Sequence, residues 1–267
     1  MTRLKAFMIT FTLTFSIMLI CFVGLYWFVQ YSQPQAAGEA QHNVPILSLT
    51  PDDTKTTLVV LDCDEAQFYF LLQLNAIQQK VNLVSVPSSL YLSLPQRTLG
   101  QSMDYAGVRQ CVQDLSQQFD ITVDYFLVGD AAVFGTLLDS FAEIDTEDIE
   151  LPKSVEQYLL KGNRYVDVNT LLTAIAVSPA LLDNGVGIGF LNMTGCTLLK
   201  NNLQKLEKDV PQAIKDNYSL LNTDIGTREL DGLVRIVRLL GNAPVQYGAL
   251  VPDAENAQTQ VEEILKG

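Results

Sequence analysis

The chain has 267 residues, with 17 Lys and Arg, 30 Asp and Glu, and a formal net charge of −13. This acidic balance excludes a general affinity for nucleic-acid phosphates, which requires a basic surface. It also argues against anionic lipid headgroups as the main source of binding energy. With 48% hydrophobic residues, the length allows one sizeable domain and an appendage.

The N-terminal segment predicts a single membrane-spanning helix. Residues 6–30 contain no charge, and about 20 apolar residues are enough to cross a bilayer. Arg3 and Lys5 lie in a short tail, residues 1–5, so the positive-inside rule places the N-terminus in the cytoplasm and the remainder outside. A cleaved signal peptide is the alternative, but its apolar region usually has only about 7–15 residues. We therefore expect a single-pass protein of the cell membrane.

A polar tether and an extracytoplasmic domain are predicted to follow the membrane helix. Residues 31–55 are mostly polar and contain three prolines, which is typical of an extended linker. The domain then occupies residues 56–267.

Short apolar, β-branched runs predict the strands of this domain. The first is Thr56–Asp62, and the next two, Phe68–Leu74 and Val81–Val86, are expected to form a hairpin. Apolar side chains fall on both faces of these strands, so the sheet should be covered on both sides, with Val81–Val86 in its interior. Further strands are expected at Ile121–Gly129 and at residues 244–252.

Helical periodicity predicts the covering layers. The expected helices are Met103–Phe119, a short helix from an Asp130 cap to Leu138, residues 166–177, one or two helices over 197–221 broken near Pro211, residues 227–240 stopped by Gly241, and a closing helix after Asp253. Helices interleaved with strands predict a three-layer α/β/α domain with a mixed central sheet.

Several common catalytic and binding motifs are missing. The single histidine, His42, lies in the tether, so a Ser-His-Asp triad or a histidine metal site cannot form in the domain. The glycine-rich stretch Asn184–Phe190 matches neither a phosphate-binding loop nor a dinucleotide fingerprint, and we expect it to be a flexible loop. Of the four cysteines, three lie in the domain, Cys63, Cys111 and Cys196, which is too few for a disulfide framework. They leave room for one bridge, but we expect three buried cysteines that act as small apolar side chains.

The order of these segments resembles the LytR–CpsA–Psr (LCP) family of bacterial cell-envelope proteins. Residues 57–87 are similar to the family's opening, an apolar strand ending in Asp followed by a hairpin that leads to serine, an apolar residue and proline. Residues 98–107, 119–139, 221–241 and 250–265 resemble later family segments. The resemblance implies a hydrophobic groove for a polyprenyl chain. In active members it also implies transfer of glycopolymers from polyprenyl pyrophosphate to peptidoglycan with magnesium.

The family's positively charged residues are replaced in this chain. Active members follow the strand's proline with arginine and aspartate, whereas here Ser88 and Ser89 occupy those positions. A serine gives one neutral donor, while arginine gives a charged planar fork that suits a pyrophosphate. Ala176 falls at another family arginine position, and Leu191 and Thr194 fall at a further arginine pair.

Few charged residues remain that could act in their place. Asp62 keeps its carboxylate, but the family's next metal-linked aspartate falls near Gln67. Arg97 and Arg109 flank the segment at 98–107 and could substitute for the lost arginines, although a structural or surface role is the ordinary one. No catalytic or metal-ligating residue is assigned. The candidate binding residues are Asp62, Ser88, Ser89, Arg97 and Arg109.

Three functions fit this sequence. The first is a membrane-anchored LCP-like protein that has lost catalysis and binds a polyprenyl-linked lipid, a cell-wall polymer or a protein partner, without a cofactor. The second is an active phosphotransferase with a rearranged site, which would need magnesium. The third is a protein-interaction scaffold whose groove is filled by its own side chains. An apolar tunnel would favour a ligand, and arginines converging at its mouth would favour the enzyme.

Overall fold

The computed structural model describes residues 49–64, 66–147, 149, 151–159, 164–182 and 185–241, and the backbone of 246–249. The expected membrane helix, nearly all of the tether and the expected closing helix lie outside this part of the chain. Within it, no helix has both the length and the apolar character needed to cross a bilayer.

A mixed six-stranded sheet forms the centre of the domain, with the order β10-β3-β2-β1-β6-β9. Two small two-stranded sheets, β4–β5 and β7–β8, accompany it. The strands are β1 Thr54–Asp62, β2 Gln67–Asn75, β3 Lys80–Val86, β4 Tyr91–Leu92, β5 Arg97–Thr98, β6 Tyr125–Gly129, β7 Ile144–Asp145, β8 Tyr165–Val166, β9 Asn222–Thr223 and β10 Gln246–Ala249. Strand β1 pairs antiparallel with β2 and parallel with β6.

Helices cover both faces of this sheet. They are α1 Leu99–Ala106, α2 Val108–Phe119, α3 Ala131–Leu137, α4 Lys153–Glu156, α5 Val168–Ala176, α6 Gly185–Asp216 and α7 Thr227–Leu240. On one face, Leu58 and Val60 of β1 pack in a cluster with α1 and α2. On the other, Val59 and Leu61 pack in a cluster that includes side chains from α3, α5, α6 and α7. The expected mixed α/β fold with covered strands is therefore confirmed.

The predicted β-hairpin is also confirmed. Strands β2 and β3 pair antiparallel from Tyr69↔Val86 to Asn75↔Lys80, and β3 is interior because β10 pairs with its other edge. The N-cap of α3 is as expected, since Asp130 Oδ1 accepts a hydrogen bond of 2.8 Å from the Val133 amide.

The helix expected over Met103–Phe119 is instead two helices. Gly107 separates α1 from α2 with φ 76° and ψ −169°, a conformation that side-chain-bearing residues rarely adopt. The following strand is shorter than Ile121–Gly129, because β6 begins only at Tyr125.

The long helix α6 corrects two expectations. The flexible loop expected over the glycine-rich stretch Asn184–Phe190 is wrong for residues 185–190, because α6 begins at Gly185. A Cβ on Gly187 would lie 2.2 Å from the Leu181 carbonyl oxygen, so glycine here allows close packing. The helix also continues through Pro211, and its irregular residue is Asn202, with φ −128° and ψ 21°.

Candidate functional site: an apolar cavity beneath helix α6

An apolar cavity of about 250 Å³ lies between the sheet and the layer formed by α3, α5, α6 and α7. Its floor comes from β1, β2, β3 and β6, and includes Val59, Leu61, Phe70 and Leu83. Of the described residues that line it, Thr57 has the one polar side chain, and none carries a charge. Such a wall offers dispersion contacts and removes apolar surface from water.

The volume of this cavity lies just below the range that is usual for small-molecule pockets, about 300–1,000 Å³. Burying each methylene group of a ligand here would contribute about 0.8 kcal/mol. A phosphate would find no cation among the described lining residues, and burial of an unpaired charge is strongly unfavourable. The geometry therefore suits an alkyl or prenyl chain.

The two serines that follow β3 lie at the strand's end, as expected. The Leu90 amide donates to the Pro87 carbonyl at 3.0 Å, which closes a turn, and the Gly100 amide donates to the Ser88 carbonyl at 2.9 Å. Ser88 is half-buried and Ser89 is exposed. Neither serine is among the described residues that line the cavity.

Asp62 ends β1 and is exposed. Its Oδ1 atom accepts a hydrogen bond of 3.1 Å from Gln67 Nε2, and Gln67 in turn accepts one from the Tyr69 hydroxyl. A neutral amide thus stands beside the carboxylate. Magnesium is bound by carboxylate oxygens, and in the described part of the chain no three His, Cys, Asp or Glu side chains come together as a metal site. At the end of β1, the carboxylate of Asp62 is thus paired with a neutral amide, and Asp64 follows two residues later.

Arg97 is held in an internal polar cluster. Its Nη2 atom lies 3.1 Å from Oδ2 of Asp114, whose side chain is 3% exposed. Ser102 Oγ donates to the same carboxylate at 2.6 Å, and the guanidinium stacks 4.6 Å from the Tyr105 ring centroid. Asp114 and Ser102 belong to α2 and α1, so this cluster lies on the opposite face of the sheet from the cavity. Arg109 is an exposed residue of α2.

The other positions that match family arginines are not cationic either. Leu191 is buried in the core cluster beneath α6, and Ala176 ends α5 half-buried. Thr194 is buried, and its hydroxyl has no hydrogen-bond partner. The structure therefore brings none of Asp62, Ser88, Ser89, Arg97 and Arg109 into the described wall of the cavity.

The cysteine thiols offer no activated nucleophile. Cys63, just after β1, is half-buried, and burial together with the charges of Asp62 and Asp64 raises its pKa to about 11. Cys111 and Cys196 are buried, which raises their pKa values to about 12 and about 11. All three are free. Reactive cysteines have lowered pKa values, so these thiols stay protonated at neutral pH.

A buried polar pair was not foreseen from the sequence. The Ser85 amide donates a hydrogen bond of 2.6 Å to Asn192 Oδ1. Ser85 Oγ and Asn192 Nδ2 are buried without a partner, and each unsatisfied group costs about 1–3 kcal/mol. A polar residue such as Ser85 within an apolar strand is a sequence signal that could have indicated a buried polar contact. The sequence carries no such signal for Asn192, because no pattern relates that residue to β3.

The chain is similar to known proteins in its three-dimensional structure. No protein-family model matches the sequence, and no curated protein matches it as a relative. A solved structure of TagT bound to LIIa-WTA superposes with a TM-score of 0.57 and 14% identity, covering 84% of this chain and 94% of the other. TagV of B. subtilis gives 0.56 and 13%, covering 81% and 99%. A protein of Eubacterium siraeum gives 0.62 and 13%, covering 88% and 99%.

These matches extend over most of both chains, and TagT and TagV are LCP proteins. At such low sequence identity, these matches establish the fold of the backbone and do not show what chemistry the side chains perform. The central sheet and its helices therefore have the fold of the LytR–CpsA–Psr family.

Proposed function

We propose that this is an LCP-like protein of the cell envelope that binds the apolar chain of a lipid, such as a polyprenyl-linked precursor, without transferring its polymer. The observation that carries the proposal is the cavity of about 250 Å³ with no charged residue in its described wall. A cell-wall polymer is the expected cargo of that lipid. TagT, whose fold this chain shares, has been solved with LIIa-WTA bound.

Loss of catalysis is supported by what stands at the family's charged positions. Phosphoryl transfer depends on cations that stabilise charge on the phosphoryl oxygens and the leaving group. Here Ser88 and Ser89 replace one charged pair, and Ala176 and Leu191 replace arginines. We propose that no magnesium ion takes part, because the neutral amide of Gln67 stands beside Asp62 where the resemblance implies a second, metal-linked aspartate.

The two rival functions are less consistent with the structure. A rearranged phosphotransferase would need Arg97 to reach a ligand, but Arg97 is engaged with Asp114 on the other face of the sheet. A scaffold with a filled groove would leave no cavity beneath α6. A protein partner that binds the outer surface remains compatible with the proposed lipid site.

The proposed organisation is a cytoplasmic tail (1–5), a membrane helix (6–30), a tether (31–55) and a three-layer α/β/α domain (56–267). It is supported by the uncharged N-terminal run and the two basic residues before it. A lipid in the outer leaflet would then be within reach of a domain tethered to the same membrane.

The purified full-length protein should not transfer glycopolymer from a polyprenyl pyrophosphate donor to peptidoglycan, with or without magnesium. The physical reason is that neutral hydroxyls cannot replace the charges that stabilise the transition state. The measurement is radiolabelled polymer attached to peptidoglycan, with TagT as the positive control. Magnesium-dependent attachment by this protein would contradict the loss of catalysis.

Protease added to intact cells should digest the domain and spare the N-terminal tail. The uncharged run with Arg3 and Lys5 before it places everything after residue 30 outside. An epitope tag at each end, followed by immunoblotting, reports the orientation. Protection of the C-terminal tag in intact cells, with digestion after lysis, would overturn the proposed localisation.

A further inference from the structure

The buried polar pair Ser85–Asn192 lies close along the chain to two residues of the cavity wall, although neither member is itself among the described lining residues. Leu83, two residues before Ser85 on the same face of β3, lines the cavity, and so does Gly195, three residues after Asn192 in α6. Two strand residues span about 6.6 Å and three helical residues about 4.5 Å. The pair is therefore within one turn of helix and two residues of strand from the cavity wall.

Close packing holds this pair in place. A Cβ on Gly195 would lie 2.1 Å from Leu83 Cδ2, so glycine lets α6 approach β3 directly. Asn192 Oδ1 is fixed as the acceptor because the Ser85 backbone amide donates to it. This orientation leaves Asn192 Nδ2 and Ser85 Oγ as the groups without partners, and both are buried.

We propose that this pair binds the neutral oxygen of a ligand whose hydrocarbon chain fills the cavity, an alcohol or carbonyl oxygen rather than a phosphate. The inference rests on the proposed function, because it takes the apolar cavity as the site of the chain. It narrows the lipid of the proposed function to one whose chain ends in a neutral oxygen, so that among prenyl lipids the free alcohol is favoured over the phosphate.

The hydrogen-bonding capacity of the pair matches such an oxygen. Asn192 Nδ2 can only donate, whereas the Ser85 hydroxyl can donate and accept. An alcohol can accept from the amide while donating to the serine, and a carbonyl oxygen can accept from both. An anionic group would meet neutral donors, with no cation in the described lining of the cavity.

The test uses the full-length protein in amphipol and four ten-carbon probes: decane, 1-decanol, methyl decanoate and decyl phosphate. Isothermal titration, corrected with protein-free amphipol, gives their dissociation constants. We expect 1-decanol and methyl decanoate to bind about fivefold more tightly than decane, as one net hydrogen bond provides. We expect decyl phosphate to bind more weakly than 1-decanol. Infrared spectra of a ¹³C-labelled ester report directly whether its carbonyl accepts a hydrogen bond.

The variant Ser85→Ala removes one orphan hydroxyl and keeps the backbone bond to Asn192, so it should fold. It should melt at or above the wild-type temperature, because a buried unsatisfied group is lost. The preference for 1-decanol over decane should fall toward unity, and the ester carbonyl band should shift to higher frequency. The matched control Ser140→Ala changes an exposed serine and should change neither quantity.

The outcomes separate this inference from the proposed function. Equal binding of decane and 1-decanol, without a shifted carbonyl band, would refute the polar site and leave the apolar cavity standing. Binding of none of the four probes would refute both. A preference for decyl phosphate, or an alcohol preference that survives Ser85→Ala, would show that the ligand's polar end binds elsewhere.

Discussion

Replacing Leu198 by tryptophan should weaken binding of a prenyl chain about a hundredfold while the domain stays folded. Leu198 lies on α6 and lines the cavity, and it is only half-buried. The larger ring would take space that the ligand's methylene groups need. Each excluded methylene costs about 0.8 kcal/mol, so the loss of three or four corresponds to a factor of about 50 to 200.

The matched control for this variant is Leu220→Trp, because Leu220 is 62% exposed and lies outside the described cavity wall. Both variants are compared with wild type by isothermal titration with a short polyprenol and by thermal melting. Leu198→Trp should melt near the wild-type temperature, since the added ring enters existing space. Undiminished binding by a folded Leu198→Trp protein would place the chain outside this cavity.

Replacing Arg97 by alanine should destabilise the domain by about 3–5 kcal/mol, the usual cost of removing one partner of a buried ion pair. The Asp114 side chain is 3% exposed and that of Arg97 is 21% exposed, so the carboxylate would lose the facing positive charge and gain only the water that enters where Arg97 stood. We therefore expect the lower end of that range. The hydrogen bonds from Ser102 and Gln110 would remain, but neither donor carries a charge. Urea unfolding followed by circular dichroism measures the change.

Two further variants show whether the lost stability comes from the ion pair with Asp114. Arg109→Ala removes an exposed arginine of the same region and should change the unfolding free energy by less than about 0.5 kcal/mol. The double variant Arg97→Met with Asp114→Leu should recover most of the lost stability, because it removes both charges together. If Arg97→Ala kept full stability but lost pyrophosphate binding, Arg97 would be a ligand-binding residue, and the rearranged phosphotransferase would gain support.

Much of the fold could be predicted because the strand signals are local. The apolar runs at β1, β2 and β3 set both the strand positions and their covered faces, and an Asp130 cap marked the start of α3. The errors fell where tertiary packing decides. Gly107 breaks a continuous helical pattern through a backbone conformation open to glycine, and a glycine-rich start of α6 is stabilised by its close packing against Leu181.

The site was less predictable than the fold. The resemblance to the LCP family showed that the family's arginines are replaced in this chain, and this pointed to Ser88 and Ser89. The cavity depends on how side chains from four strands and four helices leave space between them, and no local pattern encodes that. The contact between Ser85 and Asn192 joins residues 107 positions apart, so a single sequence cannot reveal it.

The central claim is that this protein binds a lipid by its hydrocarbon chain and not by its phosphates. The most direct test is binding of a series of polyprenols, polyprenyl monophosphates and polyprenyl pyrophosphates of several chain lengths, each at low and high salt. Affinity should rise with chain length until the cavity of about 250 Å³ is filled. It should not rise with phosphate number, and it should change little with salt. Tighter binding of pyrophosphates that weakens with salt, and that is lost in Arg97→Ala or Arg109→Ala, would contradict the account.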